Sequence, residues 1–429
     1  MIALGSEMTN VAINASFTRG GVVGGVEMFV TSLLRALLSL GGDETYTVIV
    51  TEDCQDEWSR VIGSSDVKFA LYPRKKSIGL VAKLTRMLSR AVAKDDLSTL
   101  RYPWQQVEIS NGFFEKLPCD VIHFPSQKFV ICAKPSIYNP HDLQHLHYPE
   151  YFDPFDVARR ELLYRTGCAF ARKIVTASDW VKKDIVRNYG VTEDKINVIP
   201  WAPPTAQYEL ADDEFLRSVK AEYQLPDEFA FYPAVTWPHK NHLALLSVLT
   251  ELKREGLKIR FVFSGGHTKY SQQIQEVVKE NELSEEVRFL GYVTPEELRA
   301  LYRLSKFVFV PTLFEAASGP VFEAWQEDAA VACSDVTSLP QQVGNAGLLF
   351  DPASPESIKR ALIAMDTDKQ LREMLRKNGR QRLRDFDWTK TAKAYRAIYR
   401  SAANKRLSEE EKVLLKENWM NSDGQEYRV

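Results

Sequence analysis

The chain is poor in cysteine: five of its 429 residues, Cys54, Cys119, Cys132, Cys168 and Cys333, are of this type, and no two stand in Cys-x-x-Cys spacing. That excludes a disulfide framework and a paired-cysteine zinc site, and it fits a reducing, cytoplasmic setting. Long hydrophobic runs are also missing. No stretch approaches the roughly 18 consecutive apolar residues that cross a bilayer. The first dozen residues hold Glu7 and no basic cluster before an apolar core, so neither a transmembrane helix nor a signal peptide is expected. A dominant charge is absent too, because 55 basic residues face 57 acidic ones for a formal net charge of −2. No global field therefore gathers nucleic acid, and contact with a polyanion has to be local.

What is present is an alternation of short β-branched apolar runs with longer helical ones, the pattern of parallel sheets covered by helices on both faces. It occurs twice. The first half reads as strands at 11–17, 46–50, 121–124, 137–139, 174–177 and 196–199, with helices at 25–40, 157–170 and 179–189 between them. The run Pro200, Trp201, Ala202, Pro203, Pro204 continues neither regular structure, since proline fixes φ and lacks a donor N–H, and marks a hinge. The second half restarts with strands at 229–235, 259–264, 287–290, 307–310, 330–334 and 347–350. Helices follow at 355–364, 370–384 and 389–402, the last with Tyr395, Ile398 and Tyr399 on one face. The expected fold class is α/β, with two Rossmann-like, doubly wound parallel-sheet domains facing a cleft. They span residues 1–205 and 206–385, followed by a helical segment over 386–403 and a charged, poorly patterned tail over 404–429.

The most specific local signal is Pro311-Thr312-Leu313-Phe314-Glu315 followed by Ala316, Ala317, Ser318, Gly319, Pro320, Val321, Phe322 and Glu323. Glu315 leaves the carboxyl end of a strand and Glu323 lies about one turn into the next helix, so both can face a ligand at the sheet edge. Paired carboxylates accept hydrogen bonds from adjacent sugar hydroxyls, while the amides at the helix start suit a diphosphate. On spacing alone, the pair reads more readily as a surface-loop glutamate and a solvent-facing helix glutamate, since such pairs are common. In the first half, Arg19 to Glu27 is glycine-rich and opens a helix, but it lacks the Gly-x-Gly-x-x-Gly spacing of a dinucleotide loop. His141, His145 and His147 follow a strand in a spacing of four then two, unlike a standard zinc motif, so no metal is expected. The stretch from Arg74 to Lys94 interleaves cations with leucines. It reads equally as a solvated helix or as a peripheral contact with an anionic membrane or a lipid-linked diphosphate.

The order of these motifs resembles glycosyltransferase family 4, retaining enzymes of the GT-B fold and in particular their mannosyltransferase-like group. Besides the Glu-x7-Glu segment, the matches include Ala177-Ser178, Tyr189-Gly190-Val191, Val198-Ile199-Pro200, Trp237-Pro238-His239-Lys240-Asn241, Gly291-Tyr292-Val293 and Ser338-Leu339-Pro340, spread over most of residues 11–400. The resemblance implies a nucleotide-sugar donor held by the second domain, an acceptor held by the first, and a terminal helix that crosses back to the first. It implies that Lys240 neutralises the donor diphosphate, that Glu323 accepts the ribose hydroxyls and that Glu315 contacts the transferred sugar, with Ser318 and Gly319 beside them. It further implies that Gly24 and Gly25 line the donor phosphate and that His141 touches the sugar, with Asp142, Thr236 and His239 in support. Two departures stand out: Ala316-Ala317-Ser318 replaces the family's Gly-Phe-Gly, and Thr236 and His239 flank Lys240 where arginine is common.

The resulting expectation is a metal-independent, retaining transfer of a hexose or deoxyhexose from a nucleoside diphosphate sugar, GDP-mannose being favoured, to the hydroxyl of a glycan or lipid-linked acceptor. No cofactor and no nucleic-acid partner are expected. Two other readings stay open: a nucleotide-sugar hydrolase or epimerase on the same scaffold, and a catalytically silent sugar-nucleotide-binding protein.

Overall fold

A computed structural model describes residues 8–16, 25–63, 67–73, 107–203, 211–419 and 426–429. Gly24, most of the glycine-rich loop and the basic stretch from Arg74 to Lys94 lie outside the described residues. The chain divides into two compact units. Unit 1 comprises Met1–Thr176, Val181–Ile199 and Ala392–Glu417, and unit 2 comprises Ala177–Trp180, Pro200–Thr391 and Asn418–Val429.

Unit 1 is built on β1 (Thr9–Asn14), β2 (Glu44–Val50), β3 (Lys68–Leu71), β4 (Glu108–Ile109), β5 (Val121–Phe124), β6 (Val130–Ile131), β7 (Ser136–Tyr138), β8 (Lys173–Thr176) and β9 (Ile196–Val198). Seven of them form one sheet in the order β3-β2-β1-β5-β7-β8-β9, and β4 pairs with β6. The ladders of the seven-stranded sheet are parallel. The central strands are buried along their length, as parallel strands covered on both faces must be. Helix Gly25–Ser39 buries Phe29, Leu33, Leu34 and Leu37 on one face.

Unit 2 repeats the plan with β10 (Ala230–Pro233), β11 (Phe261–Ser264), β12 (Val287–Phe289), β13 (Phe307–Val310), β14 (Val331–Ser334), β15 (Leu348–Phe350) and β16 (Tyr427–Arg428). Their order is β12-β11-β10-β13-β14-β15-β16, again parallel throughout. Both sheets are therefore doubly wound. The chain moves outward from the first strand of each, then returns to its other side, so strand order reverses between β1 and β5 and again between β10 and β13. In open α/β sheets that reversal opens a crevice at the carboxyl ends of the two strands, and ligands bind there.

Several elements escape the sequence pattern. The helices Gln55–Ile62 and Asp213–Glu222 and the strand β3 are too short or too polar to announce themselves. The segment from Asn404, charged and unpatterned in sequence, contains helix Glu409–Leu414, closed by a Ser408/Glu411 capping box, and strand β16. Arg400 ties that helix down, reaching Glu411 at 2.8 Å and Glu44 at 2.5 Å. Helix Trp388–Ala402 starts among unit 2 residues, where Trp388 donates to the carbonyl of Pro203 at 2.9 Å and Thr391 to that of Pro200 at 3.1 Å. From Ala392 onward it belongs to unit 1, and there Tyr395 and Tyr399 are fully buried. No helix among the described residues is long and apolar enough to cross a membrane.

Candidate functional site

In unit 2 the two strands that flank the reversal each deliver one charged side chain. After β10 the chain makes a single 3₁₀ turn, Pro238–Lys240, and then passes through Asn241 at φ 61 into helix His242–Arg254. After β13 it runs through Pro311 and Thr312 to Glu315. The Lys240 ammonium donates to Glu315 Oε1, with the two side chains 20% and 12% exposed. The two loops are also joined through their backbones. The carbonyl of His239 accepts from the amide of Leu313 at 2.7 Å and from the Thr312 hydroxyl at 3.1 Å. Tyr232, fully buried on β10, donates its hydroxyl to the Lys240 carbonyl at 2.9 Å.

The Glu315 backbone is held by a third loop, between β14 and helix Leu339–Val343. Its amide donates to Thr337 Oγ1 at 3.1 Å, and its carbonyl accepts from Thr337 Oγ1 at 2.6 Å and from Ser338 Oγ at 2.8 Å. Next along the chain, Gln342 brackets Ser318, accepting from its amide and donating to its carbonyl, both at 2.9 Å. The Ser318 hydroxyl is buried without a partner among the described residues, directly before helix Gly319–Gln326. The helix amides that follow it are unsatisfied by any side-chain cap, which leaves an anion-accepting end. Glu323, one turn in, is buried rather than solvent-facing; it accepts from the Tyr302 hydroxyl at 2.7 Å, and burial pushes its carboxyl up to about 7.

Thr236 and His239 flank Lys240 without adding a second cation. The Thr236 hydroxyl is 2.6 Å from Ser271 Oγ and accepts from the amide of Thr268, so it knits the loops after β10 and β11 together. Burial, with Lys240 next in order, pushes the His239 imidazole down to about 3; it is neutral at physiological pH and supplies no second cation.

In unit 1, Gly25 is the exposed first residue of its helix. His141 sits just beyond β7 in the left-handed region (φ 68), buried edge-on against Phe29. Its Nε2 lies 2.8 Å from the Pro125 carbonyl just after β5. A carbonyl only accepts, so Nε2 carries the proton and Nδ1 the lone pair. This carbonyl, and not Asp142, sets the tautomer; Asp142 Oδ1 accepts instead from the amide of Gln144 at 3.0 Å. His145 and His147 pair with Glu161 at 3.3 Å and Asp184 at 2.9 Å, and no metal-holding group occurs among the described residues. His123, which sequence reasoning passed over, lies fully buried between Tyr399 OH at 2.9 Å and Asn139 Oδ1 at 2.8 Å. A lone histidine in an apolar strand gives no sign of that network.

Buried imidazoles make stability depend on acid, and besides His239 the fully buried His123 and His242 contribute. Burial pushes His123 down to about 4 and His242 to about 3, and neither ring nitrogen of His242 has a hydrogen-bond partner among the described residues. The unfolded chain takes up protons near pH 6.5 that the folded chain refuses. The stability these groups contribute is therefore complete above pH 6.5 and is lost as pH falls toward 4. The opposing group is Glu323, whose raised pKa contributes stability below its unfolded value that fades as pH rises through about 7. A tenfold difference in proton affinity between the folded and unfolded chain is worth about 1.4 kcal/mol, so between pH 6.5 and 4.5 the two imidazoles outweigh the carboxyl by a few kcal/mol. The melting midpoint should fall over that range. His242→Phe, which fits between the rings of Tyr232 and Phe263 and breaks no hydrogen bond, should flatten the fall in scanning calorimetry.

Comparison with known proteins converges on one group. Residues 23–202 match the family described as Glycosyltransferase Family 4, and residues 215–382 match Glycosyl transferases group 1. Among curated relatives, the O-antigen chain mannosyltransferase B of Escherichia coli is 28% identical over 264 residues, 60% of this chain and 69% of that protein. The serotype-specific mannosyltransferase WbdA of the same species is 31% identical over 238 residues, 54% of this chain but only 28% of the relative. Among solved structures, Anabaena Alr3699/HepE in complex with UDP-glucose superposes with a TM-score of 0.66 at 14% identity, covering 92% of this chain and 100% of that one, a likeness of fold.

Proposed function

We infer that this chain, which belongs to the family 4-like glycosyltransferases of the GT-B fold, moves mannose from GDP-mannose to a hydroxyl of a glycan or lipid-linked acceptor with retention of configuration. The observation that carries this reading is the Lys240–Glu315 pair at the strand-order reversal of unit 2, with Glu323 one helix turn beyond. In the resting protein the carboxylate and the ammonium neutralise each other. An incoming diphosphate competes for the ammonium and frees Glu315 to accept hydroxyl hydrogen bonds from the sugar. As the bond to the anomeric carbon lengthens, negative charge grows on the leaving diphosphate. Lys240, the Ser318 hydroxyl and the first amides of helix Gly319–Gln326 are fixed donors for that charge. Glu323 accepts the ribose hydroxyls.

Support for mannose comes from the two relatives named mannosyltransferases. Glu315, the carboxylate nearest the sugar, is assigned to the sugar hydroxyls, and no thiol among the described residues is exposed at the unit 2 site. The acceptor hydroxyl then attacks on the face that the diphosphate leaves, without a covalent sugar–enzyme step.

A thermal-shift panel tests the donor assignment, because a ligand that binds only the folded chain raises the midpoint. GDP and GDP-mannose should stabilise the wild type by about 3 kcal/mol at a hundredfold excess over Kd, with UDP-glucose weaker, and Glu323→Ala should abolish the shift. A larger response to uridine than to guanosine nucleotides would replace the donor, and no response to any nucleotide would remove the transferase reading of unit 2.

A further inference from the structure

We propose that strand β16 is a latch that holds Glu315 in its working position through the loop Asp335–Ser338, so that docking of this strand sets the rate of sugar transfer. The starting observation is backbone strain. Thr337 adopts φ 51, a left-handed conformation that a β-branched side chain disfavours, yet this residue clamps both the amide and the carbonyl of Glu315. Such a conformation persists only where its surroundings over-determine it.

The surroundings of that loop lead to β16. Two residues before Thr337, Asp335 is fixed twice. Its amide donates to the Phe350 carbonyl on β15 at 2.7 Å, and its carboxylate pairs with the Arg428 guanidinium on β16. Strand β16 in turn lies parallel to β15, with Leu348 beside Tyr427 and Leu349 beside Arg428. The Val429 amide donates to the Leu349 carbonyl at 3.1 Å, and the Ser357 hydroxyl donates to the Val429 carbonyl at 2.7 Å. Arg428 is also oriented by Glu426, 2.6 Å away. Side chains exposed at 49% and 31%, as those of Arg428 and Asp335 are, make a weak pair alone. Here the pair acts in series with the strand ladder: when β16 is docked, Asp335 has one position, and the turn it opens is forced through the strained Thr337. Undocking leaves Asp335 held by its amide alone, lets Thr337 relax to negative φ and withdraws the hydroxyl from Glu315. Arg428 is thus a positioning residue, remote from the reacting atoms.

The functional half of this proposal rests on Glu315 contacting the transferred sugar, and the test separates the two. In the full chain, Arg428→Pro removes the ion pair and fixes φ inside the strand, next to the Val429 amide that pairs with Leu349, while Arg428→Lys keeps a cation. Hydrogen exchange measured without any ligand should show the Glu315 and Ser338 amides exchanging about tenfold faster in Arg428→Pro, with Arg428→Lys close to wild type. With GDP-mannose as donor and a mannoside as acceptor, kcat should fall about tenfold to a hundredfold. The GDP-mannose Kd should change less than about twofold, since Lys240 and Glu323 lie outside the loop. Unchanged exchange at Glu315 overturns the latch whatever the activity. Faster exchange with unchanged kcat confirms that β16 holds the loop but overturns the role given to Glu315. A loss confined to donor affinity overturns the rate effect.

Discussion

Replacing Lys240 with alanine should lower kcat for release of GDP from GDP-mannose about a hundredfold to a thousandfold, the cost of removing one fixed donor from a charge that grows in the transition state. The fold should survive. The hydroxyl of Tyr232 bonds to the Lys240 carbonyl and not to its side chain, and the neighbouring loop bonds run through the backbones of His239 and Leu313. The side chain itself is 20% exposed, so its removal leaves no deep cavity. What it does leave is a carboxylate without its cation. Glu315 then repels the donor diphosphate, and donor affinity should fall together with kcat. Glu315→Gln added to Lys240→Ala removes that repulsion and should restore affinity without restoring rate. A rate within fivefold of wild type for Lys240→Ala would shift the leaving-group role to another residue.

The second large effect concerns stability. Arg299, in helix Pro295–Leu304, and Glu327, just after helix Gly319–Gln326, form an ion pair at 2.5 Å with side chains only 3% and 2% exposed. A pair so deep gains little over a well-packed apolar pair, because both ions lose their hydration. Removing one partner is a different matter, since the other charge stays buried and uncompensated. Arg299→Ala should lower the unfolding free energy by about 3–5 kcal/mol, read as a lower denaturation midpoint in urea. Arg299→Met combined with Glu327→Leu should recover most of the loss. The single substitution should also reach the candidate site. Glu327 already raises the pKa of Glu323, and without its guanidinium it raises it further. More of Glu323 is then protonated at pH 7, and nucleotide affinity should gain a steeper dependence on pH between 6 and 8.

How much of this was legible in sequence depended on the kind of signal. Strands such as Val121–Phe124 and Phe307–Val310, and helices such as Asp179–Tyr189, carry their own periodicity, and their boundaries match the reading residue for residue. Glu315 and Lys240 were legible as candidates through the order of the motifs that resemble family 4, since spacing alone read Glu315 as a surface-loop residue. That they pair, and that Glu323 is buried against Tyr302 and not solvent-facing, was beyond reach, because neither burial nor partner is encoded in an eight-residue spacing. Thr337 and Gln342 left no trace: a threonine in the left-handed region looks in sequence like any loop threonine, and a glutamine that holds a backbone from both sides looks like a surface residue. Thr236 stands near Lys240 in sequence, and its hydroxyl is taken by Ser271 and Thr268, a pairing that no spacing announces.

The division of helix Trp388–Ala402 has a consequence for how the protein is made. Tyr395 and Tyr399 close the hydrogen-bond chain through Asn139 and His123 in the middle of the unit 1 sheet, yet they are translated almost two hundred residues after Ile199, the preceding segment of that unit. At a ribosome's pace of roughly 5–20 residues per second, unit 1 waits about 10–40 s with its buried histidine and asparagine uncovered. Unit 2 has by then emerged almost whole. The half that is translated first is thus the half completed last, and nascent-chain profiling should find it in the hands of chaperones until residue 402 has cleared the exit tunnel.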